Sequence, residues 1–186
     1  MKIVGLAGWS GAGKTTLLVE IIKLLTVRGL SVSTVKHAHH AFDVDVPNKD
    51  SYRHRMAGAS EVLVASSSRW ALMHELRSDR EPGMQDLLCH LSPVDLVIVE
   101  GFKREVHPKV EVHRTENRKP YLFPTLTNVR GLVTDGPRPS DWGGPIASLG
   151  EPAAVADLLL RSAAPLSEVL ARPTSGDLAS LSSEHG

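Results

Sequence analysis

The sequence predicts an α/β domain: a mainly parallel β-sheet flanked by helices in three layers. Three observations lead there. Residues 2–7 are a short apolar run of strand length, and a glycine-rich segment follows at once. Leu17, Leu18, Ile21, Ile22, Leu24 and Leu25 then recur at helical spacing. Further along, strand-like and helical runs alternate, the pattern of parallel strands joined by crossover helices.

The opening strand leads into Gly8-Trp9-Ser10-Gly11-Ala12-Gly13-Lys14-Thr15-Thr16. This fits the phosphate-binding pattern of a glycine, four residues, Gly-Lys and a hydroxyl residue, between a strand and a helix as that pattern requires. Glycine lets the loop take left-handed backbone angles and lets main-chain N–H groups approach an anion. Those groups, from Gly8, Ser10, Gly11, Ala12 and Gly13 onward, form a nest, and the helix adds its positive end. Lys14 can reach the β- and γ-phosphates, and the Thr15 hydroxyl suits Mg²⁺, a hard ion that takes oxygen ligands. The plain alternative is a glycine-rich turn with a chance lysine, and the order of strand, loop and helix argues against it.

The remaining elements follow in order. The first helix spans about 13–28, with Gly29 as its stop signal. A second strand covers 30–35 and leads into Lys36-His37-Ala38-His39-His40 and a polar loop through Asp43, Asp45, Pro47 and Asn48. A short helix starts at Asp50 and ends near Gly58. Strands at 61–65 and 70–74 flank a serine turn, and 77–83 is a charged loop. A helix is expected at 84–91, a buried strand at 95–101 and a short strand at 109–113. Residues 114–124, polar with two prolines, read as an exposed turn. A strand at 130–134 is broken by Asp135-Gly136-Pro137, and 145–149 makes a last short strand. The helix at 151–162 has Pro152 in its first turn and Val155, Leu158 and Leu159 facing inward. A nucleotide-binding domain at 1–164 is thus followed by a flexible tail at 165–186, with one turn at 166–170 and disorder from about 172.

Composition narrows the function classes. The chain has 186 residues, which suits one domain with a tail, and 41% of them are hydrophobic, enough for a core. With 21 basic and 21 acidic residues the formal net charge is zero, so nothing in the balance asks for nucleic acid or an anionic membrane. A lone cysteine, Cys89, leaves no disulfide framework within the chain and points to a reducing compartment. The first residues run straight into a strand, which argues against a cleavable signal. No apolar run reaches the roughly 18 residues of a membrane span. The expectation is a soluble, cytoplasmic protein.

Parallel sheets place ligands at the carboxyl ends of their strands. The phosphate loop, Lys36-His37, Glu100-Gly101 and Asp135 all follow strands and should gather on one edge. Residues 95–101, an apolar run ending in an acid, resemble a Walker B strand. Glu100 would hold Mg²⁺ through water or orient an attacking water, and Gly101 lets the chain turn past the nucleotide. A core strand with an exposed glutamate at its end is the plain reading. Lys36 would point toward the phosphates or a second substrate. His37, His39 and His40 invite a metal hypothesis, but their spacing is not that of zinc sites and no cysteine is near. A polar loop for an anionic substrate, or a merely solvated loop, accounts for them as well. Asp50 either caps its helix or positions Mg²⁺ or water, and Arg53 and Arg55 pair with it or with phosphate. A carboxylate can accept both the N1–H and N2–H₂ donors of guanine, and adenine offers no such pair. Asp135 is therefore the candidate base reader, with a plain Asp-Gly turn as the alternative and 140–144, with Trp142, flanking the base. Trp9 is read as contacting a partner or substrate rather than core.

Gly-Trp-Ser-Gly-Ala-Gly-Lys-Thr-Thr, Val-Lys-His-Ala-His-His, Asp-Val-Pro-Asn-Lys-Asp-Ser-Tyr-Arg, Met-Ala-Gly-Ala, Arg-Trp-Ala-Leu-Met and Val-Glu-Gly-Phe-Lys occur here in that order. This set, spread over about residues 2–162, resembles the molybdopterin-guanine dinucleotide biosynthesis protein B family. The resemblance implies a P-loop GTP-binding protein related to signal-recognition and cell-division ATPases. It also implies a dimer with weak GTP hydrolysis. Such a protein assists a separate guanylyltransferase that joins GMP to molybdopterin. It assigns phosphate and Mg²⁺ to Gly11, Gly13, Lys14, Thr15 and Thr16, and the acid position to Glu100 with Gly101 after it. Lys36 and His37 match the second-strand motif and Asp50 the loop acid. Many members read Pro-Gly-Lys-Asp where this chain has Pro47-Asn48-Lys49-Asp50.

The expected protein binds Mg²⁺–GTP between Gly8 and Thr15 and hydrolyses it slowly, with Glu100 or Asp50 orienting water. No arginine finger or dedicated water-orienting residue is evident. The rivals are a small-molecule kinase with the same loop, a GTPase metallochaperone using His37, His39 and His40, and a binding adaptor without turnover.

Overall fold

The computed structural model describes residues 1–38 and 42–171. Its elements run β1 (Lys2–Ala7), α1 (Lys14–Val27), β2 (Val32–Lys36), α2 (Asp50–Met56), β3 (Glu61–Ala65), β4 (Trp70–His74), α3 (Met84–Leu88), β5 (Leu96–Glu100) and β6 (Lys109–His113). A short 3-10 turn (Thr115–Asn117) precedes β7 (Val129–Thr134), β8 (Ile146–Ser148), α4 (Pro152–Ser162), β9 (Ala164–Pro165) and α5 (Leu166–Leu170). The chain divides into two compact units, Met1–His37 with Met84–Gly186, and Ala38–Gly83.

The first unit holds a seven-stranded sheet in the order β2-β5-β1-β6-β7-β8, with β9 also on β1. Every pairing is parallel except that of β9, which runs antiparallel to the start of β1. Strand alternation sorts the apolar residues. Val4, Leu6, Leu96 and Ile98 face one side, where Leu17, Leu18, Ile21 and Leu25 of α1 and Val155, Leu158 and Leu159 of α4 cover them. Ile3, Val97 and Val99 face the other, against Met84, Leu88, Ala164 and Val169. Each such large side chain contributes about 1.5–3 kcal/mol on burial, so both faces are firmly closed and the three layers match the expectation.

Helix 84–91 is shorter than its pattern suggests, ending at Leu88. The segment 165–170, placed in the tail by sequence, is folded, and the one turn expected at 166–170 is α5. Pro165 pairs with Lys2, the Leu166 N–H donates to the Met1 carbonyl at 3.1 Å, and Val169 is 3% exposed. The expected disorder from about 172 lies outside the described residues.

β6 is buried along its whole length, and its second face carries Lys109, Glu111 and His113. The Lys109 ammonium donates to the Glu105 carbonyl and, at 2.9 Å, to the His107 carbonyl. Burial lowers its pKa to about 8. Glu111 accepts the Leu122 and Phe123 N–H groups at 2.6 and 2.8 Å, and His113 stacks on Tyr121 with ring centroids 3.8 Å apart. Residues 114–124 are mostly exposed, as their composition suggests, but Tyr121, Leu122 and Phe123 are half-buried against this face. A buried carboxylate that needs donors holds them down.

The second unit pairs β3 with β4 as an antiparallel hairpin, a sheet of its own. The serine turn closes it, and no crossover helix intervenes of the kind a parallel pair needs. Arg55 is bound to Asp43 at 2.8 Å and Glu75 at 3.1 Å, with Asp45 at 3.6 Å. The expected pairing of Arg55 with Asp50 is thus replaced by this cluster.

Candidate functional site

The phosphate-loop segment leaves β1 at the middle of the sheet. A side chain at Gly8 would collide with the Val112 carbonyl of β6, so only glycine passes there. Gly13 occupies the cap position of α1 with φ 82, and no side chain caps the helix. The first-turn N–H groups are thus left to whatever the loop encloses. The Ala12 N–H turns inward to the Trp9 carbonyl at 3.2 Å, and Ser10 and Thr16 are exposed.

Lys14 reaches back across the loop, its ammonium donating to the Gly8 carbonyl at 3.1 Å and the Trp9 carbonyl at 2.9 Å. Burial depresses its pKa; Glu100 raises it, and Lys103 and Lys36 lower it further. The Thr15 hydroxyl donates to Glu100 Oε1 at 2.9 Å. Lys36 Nζ stands 3.4 Å from Glu100 Oε2. Sheet register produces this meeting, because Leu6 and Lys36 both lie opposite Glu100. The Glu100 carbonyl accepts the His37 N–H at 2.9 Å. Gly101, at φ 100, has no room for a side chain, since a Cβ there would lie 2.7 Å from that of His37.

The far wall comes from residues after β6. Asn117 Nδ2 donates to the Ser10 carbonyl at 3.2 Å, and the Trp9 indole N–H to the Pro120 carbonyl at 2.8 Å. Lys119, and Lys103 from the turn after β5, lie 5.9 and 5.0 Å from the Trp9 ring centroid. Asp135, exposed at the end of β7, accepts the Thr115 N–H at 2.8 Å and its hydroxyl at 3.0 Å through one oxygen. These bonds hold its pKa below the usual carboxylate range. It therefore anchors the turn that carries Asn117, a duty its sequence setting did not disclose. Trp142 packs 5.0 Å from Phe123.

The structure thus brings Lys14, Thr15, Lys36, His37, Glu100 and Gly101 together at the carboxyl ends of β1, β2 and β5. Asp50 belongs to the second unit. It is the first residue of α2, with Lys49 at the cap position and no side-chain capping bond, which corrects the capping expectation. Its side chain is 90% exposed and 4.0 Å from Arg53. Asn48 takes φ 70, the left-handed angle that asparagine tolerates better than most residues. Among the described residues no three His, Cys, Asp or Glu side chains are grouped to hold a metal ion. His39 and His40 lie outside the described residues. Sequence reasoning missed Asn117 and Glu111, which sit in no recognisable spacing, and gave no role to Lys103, the last residue of the Val-Glu-Gly-Phe-Lys motif.

Residues 3–135 match a family model described as molybdopterin guanine dinucleotide synthesis protein B. The chain is 46% identical over 116 residues to the molybdopterin-guanine dinucleotide biosynthesis adapter protein of Escherichia coli, a match spanning 61% of this chain and 66% of that one. It is 45% identical over 137 residues to the Haemophilus influenzae protein of the same name, spanning 69% and 75%. A solved structure of a MobB protein homolog from Bacillus stearothermophilus is similar with a TM-score of 0.65 at 26% identity, covering 91% of this chain and 99% of that one. Bacillus subtilis MobB shares the fold, with a TM-score of 0.68 at 24% identity over 87% and 98% of the two chains.

Proposed function

Because this chain belongs to the molybdopterin guanine dinucleotide synthesis protein B family, we propose that it is a GTP-binding adapter with weak Mg²⁺-dependent GTPase activity. It assists the attachment of GMP to molybdopterin by a partner guanylyltransferase. The observation that carries the nucleotide reading is the Thr15–Glu100 contact at 2.9 Å beside the Lys14 ammonium. A hydroxyl and a carboxylate are hard oxygen donors, and their pairing at a phosphate loop fits magnesium. A bound ion would offset charge on the phosphates. The loop N–H groups and Lys14 hold the anion, and Glu100 orients water beside it. Turnover is slow, since no arginine finger is evident in the sequence. Asp135 is the proposed guanine acceptor, through the carboxylate that also anchors Thr115.

The protein acts as a cytoplasmic homodimer. The second unit supports dimer formation. An isolated two-stranded hairpin is marginal in water, and the facing pair Leu63 and Leu72 is 62% and 42% exposed.

A competition titration of GTP against ATP, with and without Mg²⁺, tests this reading. Tight GTP binding that needs Mg²⁺, is not displaced by ATP and is lost in Lys14→Ala supports it. Equal affinity for both nucleotides overturns the guanine assignment, and binding of neither overturns the site.

A further inference from the structure

The chain bends sharply after Glu100. Gly101 has φ 100 and Phe102 φ 46, so two consecutive residues are left-handed and the second carries a side chain. Such a conformation persists only where its surroundings enforce it, and strain of this kind gathers at functional sites. Here the Phe102 ring lies 4.7 Å from the His37 ring and packs against the core behind the sheet.

The bend brings Lys103 back over the phosphate loop. Its ammonium lies 5.0 Å from the Trp9 ring centroid, on a ring face rather than on a carboxylate. The same residue, Trp9, gives its carbonyl to the Lys14 ammonium at 2.9 Å. Two lysines thus converge on one loop residue, and each repels the other: Lys103 lowers the pKa of Lys14. Lys36 adds a third positive charge, held at 3.4 Å from Glu100. Glu111 also feels Lys103, but its oxygens already accept the Leu122 and Phe123 N–H groups. Like charges gathered this way oppose folding and favour an anion among them.

Resting on the nucleotide reading above, we propose that Lys103 is a second phosphate-binding cation, one that engages the terminal phosphate and so distinguishes nucleoside triphosphate from diphosphate. A contact with a ring face is weaker than a charge-assisted hydrogen bond to phosphate. The long lysine stem lets the ammonium move from Trp9 to the ligand without disturbing the bend at Gly101 and Phe102.

The test compares Lys103→Ala, Lys103→Gln and Lys103→Arg with the unaltered full chain, titrating Mg²⁺–GTP and Mg²⁺–GDP by calorimetry. Lys103 is half-buried and outside both apolar clusters, and the Gln variant keeps most of the stem should Ala disturb packing. Loss of the charge is expected to weaken GTP about tenfold while GDP changes by less than about threefold, and Arg should restore most of the difference. Equal losses for both nucleotides, or no loss, overturn the proposal and leave the phosphate site standing. Failure of the unaltered chain to bind either nucleotide overturns the site and the proposal together.

Discussion

The Thr15 hydroxyl donates to Glu100 Oε1 at 2.9 Å across 85 residues of sequence. The parallel pairing of β1 with β5 places Glu100 beside the strand that feeds the phosphate loop. Thr15→Val removes the hydroxyl and should abolish the dependence of GTP affinity on Mg²⁺, with about a tenfold loss in its presence. Titration with and without the ion decides; an unchanged Mg²⁺ dependence counts against the assignment. Glu100→Gln should keep binding and lower single-turnover hydrolysis by on the order of a hundredfold.

Gly101→Ala should destabilise the first unit by about 1–3 kcal/mol. The new methyl would meet His37 Cβ at 2.7 Å from a backbone at φ 100. Urea unfolding measures the cost, and a stability equal to the parent would mean that the bend can relax.

Glu111→Ala should leave the Leu122 and Phe123 N–H groups without their acceptor, at a cost of roughly 2–4 kcal/mol. Faster amide exchange at these two positions, with α1 still protected, is the expected signature. Unaltered exchange there would show that the segment is held by other contacts.

Acid should weaken the fold through His107. Its ring is buried against Gly5, and neither nitrogen finds a partner among the described residues. Burial, then Lys109, lowers its pKa to about 3, below the roughly 6.5 of an exposed histidine. The unfolded chain therefore takes up the proton first as pH falls. The contribution is complete above about pH 6.5 and is lost toward pH 3, reaching about 2 kcal/mol by pH 5. His107→Leu should flatten this part of the stability curve; an equally steep curve in the variant would assign the acid effect elsewhere.

Leu63→Glu combined with Leu72→Glu should convert the proposed dimer to monomer in light scattering. The two side chains face each other across β3 and β4 and are exposed. A dimer that survives both charges would need another interface.

Local chemistry made much of this legible. The Lys2–Ala7 strand, Gly8, Gly13 and the Leu17–Leu18–Ile21–Leu25 stripe each act over a few residues, and the structure follows them closely. The acid at the end of β5 was equally plain, because an apolar run ending in glutamate is unusual in a core strand. What stayed hidden depends on long-range partners. Lys109, Glu111 and His113 alternate like a half-exposed strand, and only the segments folded over them reveal that the face is closed. Asp135 looks like a turn acid until Thr115 arrives from another part of the chain. The two strands of the hairpin were visible, but not that they stand apart from the main sheet, since propensity carries no information on which edge a strand joins.

The division of the chain between His37 and Met84 has an evolutionary corollary. Residues 38–83 are spliced into a crossover whose flanking strands, β2 and β5, already pair directly with each other. Natural selection can lengthen, trim or replace such an insert at little cost to the parent architecture. Descendants would inherit the parallel sheet and the loop after β1 unchanged while the spliced segment diversifies.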